Sequence, residues 1–170
     1  MHTLLAANLD CLQQGVELLQ ALPESDFAEP CADVFGSSIG GHLRHNLDHY
    51  AAFTAGLTAG AIDYDARERD PAIERDPAAA TALMRRLIGQ LEALADADLE
   101  RPLRIRVDNG GDSSWSASSL RRELQFLLSH TIHHHALIVS IATRSGFNGF
   151  PRSFGIAPST LNHQRAGQSA

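Results

Sequence analysis

The segment SHTIHHHA at residues 129–136 decides the architecture of this chain, together with GHLRHNLDHY at residues 41–50. The first segment holds four and the second three of the nine histidines in the chain. Both lie in stretches with the apolar spacing of a helix. His130 and His134 are four residues apart, so one helical turn places them on the same side. Because imidazole nitrogen is a common ligand for zinc, nickel, iron and copper, this pattern predicts a metal site built from helices.

A helical wheel places the two spaced histidines in the core. At about 100° per residue, His130 and His134 point into the apolar stripe of their helix, whereas His133 and His135 lie nearer its edges. The stripe consists of Leu120, Leu127, Leu137, Ile138 and Ile141. A single buried histidine is more often a hydrogen-bonded core residue. Two at ligand spacing, with a second histidine segment available, favour metal binding.

The composition predicts one globular domain over residues 1–170, with 44% apolar residues. The formal charge of -6 argues against nucleic-acid binding, because phosphate binding needs concentrated Lys and Arg. No apolar run approaches the roughly 18–20 residues that span a bilayer, which argues against a membrane protein. The first helix carries acidic residues and is not a signal peptide, so a cytoplasmic location is expected. Cys11 and Cys31 lack CxxC spacing and are expected to be free, although Cys31 lies close enough to the first histidine segment to contribute to the site.

Apolar periodicity predicts the main elements of the fold. Four long helices are expected, at about residues 3–22, 37–60, 77–98 and 119–144. The charged stretch 63–76 joins the second and third helices, and it is expected to cross the bundle as a solvated connection. The fold class is therefore all-α, a four-helix bundle with a long crossover between helices 2 and 3.

Two further segments complete the predicted fold. Residues 103–117 alternate in polarity around Asn109-Gly110-Gly111, which predicts a small inserted β-hairpin. The C-terminal tail from Gly146 is expected to be irregular. Its phenylalanines and Ile156 would be costly to expose, so the tail should pack on the bundle. It can line the mouth of the metal site or cover apolar surface elsewhere.

The histidine segments, in this order of elements, resemble the DinB/YfiT-like superfamily of metal-dependent four-helix-bundle proteins. The resemblance covers roughly residues 3–145. It implies a divalent metal site with one histidine from the second helix and two from the HxxxH of the fourth. These positions match His45, His130 and His134. Zinc or nickel is the expected ion, with iron and manganese as alternatives, and the resemblance also implies homodimers.

The ligand from the second helix has competitors. On a plain wheel, His42 and His49 lie nearer the apolar stripe of that helix than His45, which falls roughly 120° from its centre. We still expect His45 to be the ligand, because a second close-packed face can form on its side from Ala52, Ala55 and Ala59. His42 and His49 are then expected at the rim of the site, with either as an alternative ligand.

Glu123 and Asp48 are the candidate catalytic residues. Glu123 lies two turns before His130 on the same face, and Asp48 lies one turn from His45. Either carboxylate can orient a ligand imidazole or act as a base. The structural alternatives are a first-turn acid favoured by the helix dipole for Glu123 and a surface acid beside Arg44 for Asp48.

Three neutral imidazoles on a divalent ion leave a position open for water or substrate. The resemblance implies transferases and isomerases that use low-molecular-weight thiols, so S-transfer on a small molecule is the leading hypothesis. Metal-assisted hydrolysis is the second hypothesis, and a non-catalytic metal- or ligand-binding stress protein is the alternative from another class. Leu128, Ile132 and Val139, on the back of the fourth helix, also predict a homodimer unless the tail or the hairpin covers them.

Overall fold

The computed structural model describes residues 1–34, 36–108, 110–111 and 114–167. Four long helices surround the core: α1 (Thr3–Ala21), α3 (Ile39–Gly56), α5 (Pro77–Glu92) and α6 (Leu120–Arg144). The shorter elements are α2 (Glu24–Phe27), β1 (Ala61–Asp63), α4 (Pro71–Arg75), β2 (Pro102–Arg106), β3 (Ser116–Ser119) and α7 (Pro158–Gly167). Both α1 and α3 pack against α5 and α6. This closed arrangement confirms the predicted four-helix bundle.

The long crossover runs from the end of α3 to α5. Its start differs from the prediction, because α3 ends at Gly56 rather than near residue 60. The chain turns back here so closely that a Cβ at Gly56 would lie 2.5 Å from the carbonyl oxygen of Ala61. Within the crossover, Asp70 caps the short helix α4 by accepting a hydrogen bond from the backbone nitrogen of Ala72. Similarly, α5 ends at Glu92 rather than near residue 98.

The predicted hairpin is part of a three-stranded sheet. β2 pairs antiparallel with β3, as expected, but β1 also pairs parallel with β2, with Ile62 opposite Ile105. The sequence prediction missed β1 because the strand has three residues, of which Ile62 alone is buried. Asn109 of the predicted turn lies outside the described residues. Gly110 and Gly111 both adopt positive φ, at 84° and 127°, as a glycine turn requires.

The C-terminal tail contains a helix, α7, rather than being irregular throughout. Phe154 is 4% exposed, and its ring stacks on His135 at 3.9 Å between centroids. The backbone approaches closely here, since a Cβ at Gly155 would lie 2.9 Å from the Ala136 nitrogen. His135 is therefore buried, at 2% exposure, rather than at the edge of the apolar stripe. These contacts favour a tail that covers the surface of α6 over a tail that lines the mouth of the metal site.

Buried hydrogen bonds fix α1, α3 and α6 relative to one another. The Tyr50 hydroxyl donates to Asn8 Oδ1 at 2.8 Å and lies 3.0 Å from Thr131 Oγ1. Thr131 Oγ1 in turn lies 3.1 Å from Asn46 Oδ1. Since an unpaired buried polar group costs about 1–3 kcal/mol, these groups favour one alignment of the helices.

None of the described helices has the length and apolar composition that a membrane span needs. Both cysteines are free thiols, as the sequence predicts. Cys11 is buried in α1, and burial raises the pKa of its thiol to about 12. Cys31 lies before α3, where its backbone forms a bridge with Ser37.

The first turn of α3 packs so tightly on α4 that Gly40 has no room for a side chain. A Cβ there would lie 2.0 Å from the carbonyl oxygen of Glu74. We expect Gly40→Ala to lower the free energy of unfolding by about 1–3 kcal/mol through this overlap. The matched control is Gly89→Ala in α5, where an added Cβ meets nothing within 4 Å. It should raise that free energy by about 0.5–1 kcal/mol. Urea unfolding measures both, and equal effects would contradict the close contact.

Candidate metal centre

Five histidines converge where α3 packs against α6, and we call them the histidine cluster. His42, His45 and His49 lie on successive turns of α3, and His130 and His134 on successive turns of α6. The ring centroid of His45 lies 4.7 Å from that of His49, 5.1 Å from that of His130 and 4.8 Å from that of His134. The two histidine segments of the sequence therefore form one site.

The distances between ring nitrogens fit a divalent ion. In a tetrahedral zinc site with bonds of about 2.0–2.1 Å, two ligand nitrogens lie about 3.3 Å apart. His130 Nε2 and His134 Nε2 are separated by 3.1 Å. Ligand nitrogens of His45, His49 and His130 all lie within 4.8 Å of one another, which needs a modest closure of the side chains. These three histidines form one candidate triad, and His134, whose ring centroid lies 4.8 Å from that of His45, is the alternative third ligand.

The hydrogen bonds among the imidazoles are incomplete. His134 Nδ1 lies 3.0 Å from His42 Nδ1, and its Nε2 faces His130. A neutral imidazole has one donor and one acceptor nitrogen, so His134 donates to one neighbour and accepts from the other. The outer nitrogens, His42 Nε2 and His130 Nδ1, are buried without a hydrogen-bond partner among the described residues. Unpaired buried nitrogens suit a cluster that takes a partner from outside the chain.

Burial keeps the clustered imidazoles uncharged near neutral pH. It is the main cause that lowers the pKa of His45 and His49 to about 4, that of His134 to about 3 and that of His130 to about 2. Nearby positive charge adds to this, and Arg67 is the strongest such influence on His45. The neutral imidazole is the form that binds a metal ion.

His49 is held in one tautomer by two hydrogen bonds. Its Nδ1 lies 2.8 Å from the carbonyl oxygen of His45, which only accepts, so Nδ1 carries the proton. Nε2 therefore has a free lone pair, and it accepts a hydrogen bond from Arg67 Nη1. Arg67 lies in the crossover, in the stretch that the sequence predicts to be a solvated face. The prediction missed this residue because no helical periodicity marks a side chain in a connection.

The alanines beside His45 do not form the expected close-packed face, so that prediction is wrong. Ala52 is half-buried, and Ala55 and Ala59 are exposed. Together with Ala51, the first two line a cavity of about 520 Å³ between α3, the crossover and α5, which we call the alanine cavity. Sequence periodicity shows that this face is lined with small residues, but not whether a neighbouring element fills the space beside it.

Glu123 is fully buried beside the cluster rather than at its centre. Its carboxylate accepts hydrogen bonds from the Tyr64 hydroxyl at 2.8 Å and from Ser118, and Arg122 Nη1 lies 3.2 Å away. The Tyr64 ring packs against His49, with 5.6 Å between centroids. Glu123 is therefore linked to the cluster through the Tyr64 side chain.

Asp48 is buried, at 7% exposure, and is not the surface acid of the structural alternative. Arg44, which that alternative places beside Asp48, is present: it lies 2.7 Å from the Asp48 carboxylate and 3.0 Å from that of Glu74. Burial raises the pKa of Asp48, and Arg44 partly opposes this shift. Asp48 lines the alanine cavity, as Arg67 does.

Two solved structures share this fold over most of the chain. The DinB-like protein YjoA of Bacillus subtilis is 17% identical, with a TM-score of 0.65 over 90% of this chain and 98% of its own. YfiT of Bacillus subtilis is 18% identical, with a TM-score of 0.65 over 85% of this chain and 87% of its own. It is described as a probable metal-dependent hydrolase with an unusual four-helix bundle topology.

A curated sequence relative is FK506-binding protein 5 of Rhizopus delemar, which is 33% identical over 105 residues. The match covers 60% of this chain but only 27% of that protein, so the chain spans about a quarter of its length. The family model of the DinB superfamily matches residues 10–138, a range that includes both histidine segments, the whole of α3 and α5 and most of α1 and α6. The chain belongs to the DinB superfamily.

Proposed function

We propose that the chain is a metal-dependent enzyme acting on a small molecule, with one divalent ion bound by His45, His130 and His134. The observation that carries this proposal is the 3.1 Å separation of His130 Nε2 and His134 Nε2, close to the spacing of two ligands on one ion. In the alternative triad His49 replaces His134; its Nε2 would have to give up the hydrogen bond from Arg67, whereas His134 Nε2 already faces a ligand of the same triad, His130. Zinc or nickel suits three imidazoles, with iron and manganese as alternatives.

A divalent ion on three imidazoles acts as a Lewis acid and lowers the pKa of a bound water or thiol. Two reaction classes follow from this chemistry. Transfer or isomerisation with a low-molecular-weight thiol is supported by the family resemblance, and hydrolysis is supported by the likeness to YfiT. Turnover that requires an added thiol would distinguish the first class from the second. Metal binding without turnover of either kind would favour a binding protein.

We assign different roles to the two candidate carboxylates. Asp48 lines the alanine cavity, and burial raises its pKa, so it is placed to exchange a proton with a molecule bound there. Glu123 holds the Tyr64 hydroxyl, and the Tyr64 ring packs on His49. Glu123 is therefore a positioning residue.

Removing a ligand should remove the metal. We expect His45→Ala, His130→Ala and His134→Ala each to abolish binding of one divalent ion per chain, because two imidazoles hold such an ion weakly. His133→Ala is the matched control, since His133 is exposed on the same helix. The buried His135 faces the tail, so His135→Ala should also keep the metal. Elemental analysis of untagged protein gives the metal content.

The same series separates the competing ligand sets. His49→Ala should keep most of the metal if His134 is the third ligand. Loss of metal in His49→Ala with retention in His134→Ala would instead establish the triad of His45, His49 and His130. Retention in His45→Ala with loss in His42→Ala would contradict the proposed ligand from α3.

Metal affinity should depend little on pH in the mildly acidic range. Burial lowers the pKa of His45 to about 4 and that of His134 to about 3, against about 6.5 for an exposed histidine. Because a lowered pKa moves proton competition to lower pH, the zinc dissociation constant should change less than about threefold between about pH 7.5 and pH 5.5. Competition titration with a chelator at each pH measures it. Weakening that begins near pH 6.5 would contradict the low pKa values.

We also propose a homodimer formed through the back of α6. Leu128 and Ile132 are half-buried there, and Ile156 of the tail beside them is 40% exposed. The tail covers part of this face and leaves an apolar remainder. Sedimentation at micromolar concentration should give twice the chain mass of 18.4 kDa. A monomer would show that the tail covers this face sufficiently.

The cytoplasmic location stays a prediction.

A further inference from the structure

Arg67 joins the histidine cluster to the alanine cavity. Its Nη1 donates to His49 Nε2, and the same side chain forms part of the cavity wall. Its Nε is buried and has no hydrogen-bond partner among the described residues. Within the described part of the chain, no carboxylate oxygen lies within 4.0 Å of this guanidinium. Arg67 is therefore a half-buried cation without a direct ion pair, and Asp48 and Asp65 act on its charge only from beyond that distance.

Arg44 of α3 is a second guanidinium near the cluster, and its charge is paired differently. It lies 2.7 Å from the Asp48 carboxylate and 3.0 Å from that of Glu74, so its charge is compensated within the protein. The chain thus pairs one guanidinium near the cluster directly with carboxylates and leaves the other, Arg67, with carboxylates only at longer range. A half-buried cation beside a site for a divalent ion is unfavourable unless an anion lies close to both charges.

The shape and lining of the alanine cavity indicate what kind of molecule would carry that anionic group. Its volume of about 520 Å³ is typical of a small-molecule site. Ala52, Ala55 and Leu87 give the lining an apolar part that suits a hydrocarbon body, and Arg86 of α5 adds a second cation to the wall. Glu68 and Asp70, with Asp48, also line the wall and would repel a second negative charge. A monoanion with an apolar body fits these features.

We propose that the alanine cavity is the substrate pocket and takes a small carboxylic acid with an apolar body, whose carboxylate Arg67 binds beside the histidine cluster. A guanidinium offers a carboxylate two parallel N–H donors, and the Arg67 side chain forms part of the cavity wall. The inference rests on the proposed metal-dependent function and deepens it by naming the substrate class. Arg67 is then the residue that selects for the negative charge.

The test measures whether a carboxylate and a metal ion bind cooperatively to the untagged full chain. Zinc affinity is determined by competition with a chelator, with and without benzoate as the probe. In the unmodified protein we expect benzoate to tighten zinc binding about fivefold or more, because each ligand relieves the charge of the other. Arg67→Gln should remove this effect while binding zinc alone at least as tightly, since it lacks the repelling cation. Benzamide, the uncharged analogue, should have no effect.

Two further variants separate the pocket from general electrostatics. Arg69→Gln removes an equal charge from an exposed residue that does not line the cavity, so it should keep the benzoate effect. Ala55→Phe fills the cavity from the exposed side of α3, so it should lose the effect of benzoate but keep that of formate. Thermal unfolding of each variant shows whether it is folded.

The outcomes distinguish the two proposals. Absence of zinc binding by the unmodified protein would overturn the proposed function. Zinc binding without a benzoate effect, or with an effect that Arg67→Gln retains, would overturn the carboxylate pocket alone. An equal effect of benzamide would show that charge is not recognised. A larger effect of inorganic phosphate than of benzoate would overturn the assignment to a monoanion.

Discussion

The contact between α3 and α6 depends on imidazoles that must stay uncharged while they lie against one another. His42, His134 and His130 meet nitrogen to nitrogen at 3.0 and 3.1 Å, an arrangement that two positive rings would make repulsive. Burial keeps the rings uncharged, because it lowers the pKa of His134 to about 3. The same condition makes the cluster a metal site, since a neutral imidazole presents a lone pair.

The surrounding structure holds these rings in place from several sides. Tyr50 links α3 to Asn8 of α1 and to Thr131 of α6, one turn before His135 and close to the α6 ligands. On the sheet side, Tyr64 follows β1 and lies between Glu123 and His49. The fold therefore brings the histidines close together before any ion binds. Such preorganisation lowers the conformational cost of metal binding.

The sequence predicted the bundle and the meeting of the two histidine segments well, because helical periodicity records which faces are buried. It missed β1 because three residues carry too little pattern, and it placed His135 at an edge because the covering Phe154 belongs to an aperiodic tail. Arg67 and the alanine cavity were missed for a related reason: both depend on where a long connection lies in space, which local sequence does not specify.

The central claim is that three imidazoles from two helices bind one divalent ion. X-ray absorption spectroscopy of the zinc-loaded, untagged chain tests this most directly, because it reports ligand type and distance at the ion itself. We predict three imidazole nitrogens at about 2.0–2.1 Å and a further light-atom ligand, with no sulfur. A sulfur scatterer at about 2.3 Å, which would place a cysteine on the ion, or a spectrum without imidazole scattering, would contradict the account.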